Sequence, residues 1–146
     1  MAKPVPPGRD AKEDLIVEMT PADGVNITLD SSVGALYGDH THGLIVETVA
    51  ALGLDNVDVK VSDRGALDWV IQARVEAAAA KLGELKKSAL PEMHQDNDYS
   101  VKRDRMRRSR LYLPGNQPDL MLNAGLFSPD AVILDLEDSV APAAKH

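Results

Sequence analysis

Hydrophobic and polar positions change period several times along the chain. Val57-Asp58-Val59-Lys60-Val61 alternates at period two, the pattern of a strand with one buried face. Asp14-Leu15-Ile16-Val17-Glu18-Met19 and Val25-Asn26-Ile27-Thr28-Leu29 carry looser versions of it, and Pro21-Ala22-Asp23-Gly24 supplies turn chemistry between them. A hairpin is the simple expectation there. Ile45, Val49 and Leu52 fall on one stripe of a helix expected from about Asp39 to Leu52, with Gly53 as its stop. After a turn at residues 62–65, Leu67, Val70, Ile71, Arg74, Val75, Ala78, Leu82 and Leu85 recur at helical spacing, and the alanines at 77–80 add propensity. The order ββαβα predicts a small α+β domain, close to the smallest size that folds alone.

Residues 86–106 are polar, carry Pro91 and show no sustained period, so a flexible linker is expected there. Leu111-Tyr112-Leu113 resumes as a strand ending at Pro114-Gly115, and residues 118–127 fit a short helix with Pro118 at its first position. Val132-Ile133-Leu134-Asp135-Leu136 reads as a buried strand that empties into the acidic loop Glu137-Asp138-Ser139. Strand, helix and strand in so short a span predict a right-handed parallel βαβ unit, the repeating piece of a (β/α)₈ barrel. The expected fold class is therefore α/β, with three segments. Residues 1–85 form a small ββαβα domain, 86–106 a linker, and 107–146 the first βαβ of a TIM barrel, truncated as the sequence stands.

Composition narrows the function classes. The chain has 146 residues, no cysteine, 44% hydrophobic and 3% aromatic residues, and a formal net charge of −7. Small aliphatics must fill the core, which suits α/β layers. The acidic balance argues against nucleic-acid and anionic-membrane partners. Absence of cysteine removes disulfides, thiolate metal sites and cysteine nucleophiles, and fits a reducing cytoplasm. Met1-Ala2-Lys3-Pro4-Val5-Pro6-Pro7 lacks the apolar run of a signal peptide. Residues 86–110 carry eight basic against four acidic groups, a reversal of sign from the acidic segments on either side.

Several residues could carry chemistry, and each has a plainer role beside it. Glu137 and Asp138, at the C-terminal end of a strand, occupy the place where α/β barrels build their active faces, but loop carboxylates also form ordinary turns and caps. Tyr112 fits a site or plain core packing. His40 and His42 splay apart at i,i+2 spacing and lack further His or Cys support, so exposed polar residues are the better reading. Arg107, Arg108 and Arg110 fit a phosphate contact or a solvated basic approach to the barrel. Trp69 fits the core or a docking surface.

The motifs resemble citrate lyase twice over. Residues 8–85 resemble its gamma subunit, the small acyl carrier, through Leu29-Asp30-Ser31-Ser32-Val33, Tyr37-Gly38-Asp39, Asp63-Arg64-Gly65-Ala66-Leu67-Asp68 and Ala73-Arg74-Val75-Glu76-Ala77. Residues 107–146 resemble the start of the beta subunit, a citryl-thioester lyase of the HpcH/HpaI aldolase family, through Arg107-Arg108-Ser109, Pro114-Gly115 and Asp135-Leu136-Glu137-Asp138-Ser139-Val140. The resemblance implies a carbon–carbon lyase component acting on citryl and acetyl thioesters, with citrate lyase alpha and beta chains as partners. It implies Mg²⁺, held by ligands on later strands beyond this sequence, and a cytoplasmic location. Tyr112, Gln117, Glu137 and Asp138 are the implied substrate-binding residues. Gln117 and Asn123 stand where relatives that use free coenzyme A thioesters place Arg and Lys, which favours a protein-borne thioester.

In the carrier family a phosphoribosyl-dephospho-coenzyme A arm sits on the serine of a Ser-Gly-Asp triplet before the first strand. Counted without gaps from Gly8, that triplet falls on Lys12-Glu13-Asp14. An ammonium cannot form the phosphodiester that a hydroxyl forms, so no attachment residue is expected, and the fragment is expected to be inactive alone. The alternatives are a non-enzymatic carrier or assembly domain of a lyase complex, or a piece of a malyl- or citramalyl-type lyase for free coenzyme A thioesters.

Overall fold

A computed structural model describes residues 6–145, the Asn97 side chain excepted. The stretch read above for a leader therefore lies mostly outside the described residues, as does His146.

Strand β3 (Val57–Asp63) is the centre of the first unit. Its alternation puts Val57, Val59, Val61 and Asp63 on the buried face and Lys60 in solvent. Strand β1 (Leu15–Pro21) pairs with it antiparallel, and β2 (Val25–Ser31) pairs with its other side in parallel, giving the order β1-β3-β2. The expected hairpin is thus corrected: β1 and β2 do not pair, because β3 lies between them. Period-two patterning selects a strand's face but not its neighbour. The link from β2 to β3 runs through helix α1 (Gly34–Leu52), and such a crossover makes its two strands parallel. Asn56 closes the base of this split pair. Its carbonyl accepts from Ala22 N–H at 3.3 Å, its Oδ1 accepts from Gly24 N–H at 3.2 Å, and Val57 N–H donates to Gly24 carbonyl at 2.8 Å.

The outer edge of β1 is covered by the chain just before it. Val17 N–H donates to the Pro7 carbonyl, and Gly8 bridges Ile16. Gly8 is required there: its φ is +103°, and a Cβ would lie 1.7 Å from the Leu15 carbonyl oxygen.

Helices α1 and α2 (Asp68–Ala80) cover one face of the sheet. Helix α1 starts at Gly34, ahead of the expected Asp39. Its first turn carries Leu36 and Tyr37, 81% and 57% exposed, so the buried stripe of Ile45, Val49 and Leu52 gives no sign of that turn. Gly53, at φ 74°, ends it as expected. Leu15, Val17, Ile45, Val49, Val59, Ile71 and Val75 fill the core. Leu85 and Ala89 pack on its rim, and Glu76 accepts hydrogen bonds from Ser88 Oγ and Ala89 N–H.

Strand β4 (Arg110–Pro114) pairs in parallel with β5 (Ala131–Asp135), joined by α3 (Pro118–Asn123) and a 3-10 turn at Ala124–Phe127. The molecule is thus a ββαβα domain followed by a parallel βαβ unit. Pro118 opens α3 as expected. Strand β5 is not the buried strand its composition suggests: Val132 and Leu134 are 44% and 50% exposed, because β5 has one strand neighbour. Among the described residues no helix is long and apolar enough to cross a membrane.

Candidate functional site

The first sheet gathers its polar ends at one edge. Parallel β2 and β3 end in register at Ser31 and Asp63, and β1 begins opposite Asp63, just after Asp14. Asp63 is buried. One carboxylate oxygen accepts from the Ser31 hydroxyl at 2.6 Å, and the other accepts from Gly65 and Ala66 N–H at 3.0 and 2.9 Å. The two motifs around Ser31 and Asp63, far apart in sequence, therefore meet as one turn-building cluster.

Asp14 is buried beside that cluster and is gripped by Arg74 of α2, with Nε–Oδ1 3.0 Å and Nη2–Oδ2 2.9 Å. This is a two-point, charge-assisted fork. The Asp14 carbonyl accepts from Arg64 N–H, the Arg64 carbonyl accepts from Glu13 N–H, and Asp14 N–H donates to the Ala11 carbonyl. These bonds hold residues 11–14 in a turn from which Lys12 projects into solvent while Asp14 stays buried. The Lys12 side chain is 88% exposed and pairs with Glu13 at 3.2 Å. Glu13 holds φ 62°, a left-handed conformation that costs a non-glycine residue roughly 1–2 kcal/mol.

Next to this edge lies a cleft of about 600 Å³ lined by Val33, Tyr37, Thr41, Ala66, Leu67 and Asp68. His40 Nε2 meets Asp68 Oδ1 at 2.9 Å across its mouth, while Trp69 is 36% exposed at the start of α2.

In the second unit, both loops at the C-terminal edge of the strands come together. Gly115 N–H donates to the Asp135 carbonyl at 2.7 Å. The Asp135 carboxylate accepts from Glu137 N–H at 2.8 Å and Ser139 N–H at 3.1 Å, and is held below the ordinary aspartate value, chiefly by the Glu137 contact. Gln117 sits at the N-cap of α3 and Glu137 and Asp138 lie exposed after β5, so these three share the edge. Tyr112 lies within β4, two residues before Pro114 and 62% exposed. Asn123 turns back onto its own helix, donating to the Asp119 carbonyl. At the opposite edge, Asp130 accepts from Ser109 and Arg108 N–H, and these backbone donors, Ser109 first, hold its carboxyl low.

Two residues given no role from the sequence matter here. Asp135 organises the acidic loop, and Asn116 meets the first unit, its carbonyl accepting from Arg74 Nη2 at 3.3 Å. Around that contact is a cleft of about 300 Å³ lined by Arg74, Asn116, Leu136, Val140 and Lys145. The residues present do not make a Mg²⁺ site: both Asp135 oxygens are engaged by backbone donors, and among the described residues no three His, Cys, Asp or Glu side chains cluster.

The ββαβα unit is the part of the chain that the acyl-carrier comparisons match. The chain belongs to the family described as malonate decarboxylase delta subunit, whose sequence pattern matches residues 3–82. Residues 108–146 match the HpcH/HpaI aldolase/citrate lyase family and form a partial segment of it. The citrate lyase acyl carrier protein of Lactobacillus acidophilus is 49% identical over 63 residues, 43% of this chain and 65% of that protein. The chain thus spans just under two thirds of that relative. The Haemophilus influenzae protein of the same name is 41% identical over 68 residues, 47% of this chain and 72% of that one. That of Pectobacterium carotovorum is 39% identical over 75 residues, 51% and 78% respectively. No solved structure matches.

Proposed function

We propose that this chain is a component of a citrate-lyase-type carbon–carbon lyase, with an acyl-carrier-like domain at 1–85, a linker at 86–106 and the opening of a citryl-thioester lyase barrel at 107–146. Its carrier-like domain serves assembly and docking with lyase alpha and beta chains rather than carrying an arm. One observation carries this reading. Lys12, where the family resemblance places the attachment serine, stands exposed on a turn in which Glu13 holds a left-handed conformation and Asp14 is anchored to Arg74.

The reaction of such a lyase splits a citryl thioester into an acetyl thioester and oxaloacetate. A base must take the tertiary hydroxyl proton, and positive charge must hold the developing enolate. Tyr112 and Gln117 would contact the acyl thioester, and Glu137 and Asp138 would line the rim. The Mg²⁺ of this chemistry needs ligands that residues 107–146 do not supply. One βαβ unit is far from the roughly 250 residues of a full barrel, so this chain alone is expected to release no oxaloacetate from citryl-coenzyme A.

The test is intact-mass spectrometry after co-expression with the enzyme that loads phosphoribosyl-dephospho-coenzyme A onto carrier subunits. The chain as it stands should gain no mass. The variant Lys12→Ser, Glu13→Gly should gain one arm. A mass gain on the unaltered chain would overturn the reading.

A further inference from the structure

Arg74 connects the two units. A guanidinium has five N–H donors in a rigid fork. Arg74 spends two nitrogens on Asp14, and its Nη2 also reaches the Asn116 carbonyl of the loop after β4. Its side chain is 13% exposed, so these contacts are held largely out of water.

The receiving loop is firm on its own side. Gly115 N–H is tied to the Asp135 carbonyl, and a Cβ on Gly115 would lie 2.4 Å from Leu136 Cδ2 and 3.1 Å from the Asp135 oxygen. A side chain here would make the exposed Leu136 swing aside and the Asp135 carbonyl give by a few tenths of an ångström, so glycine suits this close approach. Asn116 Oδ1 is buried without a hydrogen-bond partner among the described residues, and the Asn116 carbonyl accepts from Arg74 Nη2 across the boundary between the units.

We propose that the Asp14–Arg74 pair is a docking face on which the carrier-like domain seats the first strand–helix loop of the lyase-like unit of the same chain. The contact starts two residues from Lys12, so it sets the outward turn beside the edge that carries Gln117, Glu137 and Asp138. Nothing in this seating needs an arm or turnover, so it stands or falls separately from the functional reading.

The chain has no cysteine, so Lys12→Cys and Glu137→Cys can be spin-labelled without background. Pulsed electron resonance on the labelled full chain should give a single narrow distance population. Arg74→Lys keeps a positive charge for Asp14 but loses the fork, and should broaden the distribution. Gly115→Ala lies outside the carrier-like core, leaves the Asp14 pair untouched, and should broaden it too. A broad distribution in the unaltered background, or either variant as narrow as that background, would overturn the proposal.

Discussion

The Asp14–Arg74 fork decides the architecture of the loop end. Both groups are largely removed from water, with side chains 1% and 13% exposed. Breaking a buried pair by deleting one partner leaves an uncompensated charge and costs about 3–5 kcal/mol. Asp14→Ala should therefore lower the stability of the first unit by about that amount in urea titrations followed by Trp69 fluorescence. Adding Arg74→Leu should recover most of it, since apolar replacements of buried pairs are often neutral. A loss no larger in the single variant than in the double one would refute this. Arg74 was visible in the sequence as a member of the apolar stripe of α2, and a lone arginine on such a stripe is the signal of a buried partner. Which carboxylate it meets was not legible, because Asp14 lies 60 residues away.

At the scale of elements, the sequence pattern located the five strands and the three α-helices among the described residues. It missed the neighbours of β1 and β2, since pairing order follows from the crossover through α1 and the Asn56 clamp rather than from alternation. Tyr112, Gln117, Glu137 and Asp138 came together in the sequence only through the family resemblance; the structure sets Gln117, Glu137 and Asp138 on one edge and Tyr112 within β4. The β4–β5 pair is fastened at both ends by aspartates. Ser109 and Arg108 N–H hold Asp130 down at one end, and Glu137 N–H, aided by Ser139, holds Asp135 down at the other. Both folded-state carboxyls lie below the ordinary value of 3.8. Between the folded and ordinary values the unfolded chain binds more protons, so stability falls as pH drops through that window. The contribution is complete above the ordinary value and absent below the folded one. Carboxyl-carbon NMR titration should give midpoints below 3.8 for both residues. A midpoint at or above it for either would remove that fastening from the account.

The whole molecule has two cores of very different quality. The first unit buries Leu15, Val17, Ile45, Val59 and Val75 completely. The second buries Leu113, Ala124 and Val140 while leaving Leu126 and Phe127, 79% and 72% exposed, on its surface. Apolar area removed from water stabilises at about 25 cal/mol per Å², so the β4–β5 unit gains little from its own packing. It depends on the backbone contacts of Asp130 and Asp135 and on its seat against Arg74. Amide exchange should divide accordingly. Protection of β3 amides such as Val59 and Val61 should approach the global unfolding limit, whereas β4 and β5 amides should exchange through local opening at much lower cost. Hydrogen–deuterium exchange with mass detection separates the two peptides cleanly. Equal protection in both would mean that the chain unfolds as one unit, and that the Arg74 contact couples the two cores more strongly than their packing suggests.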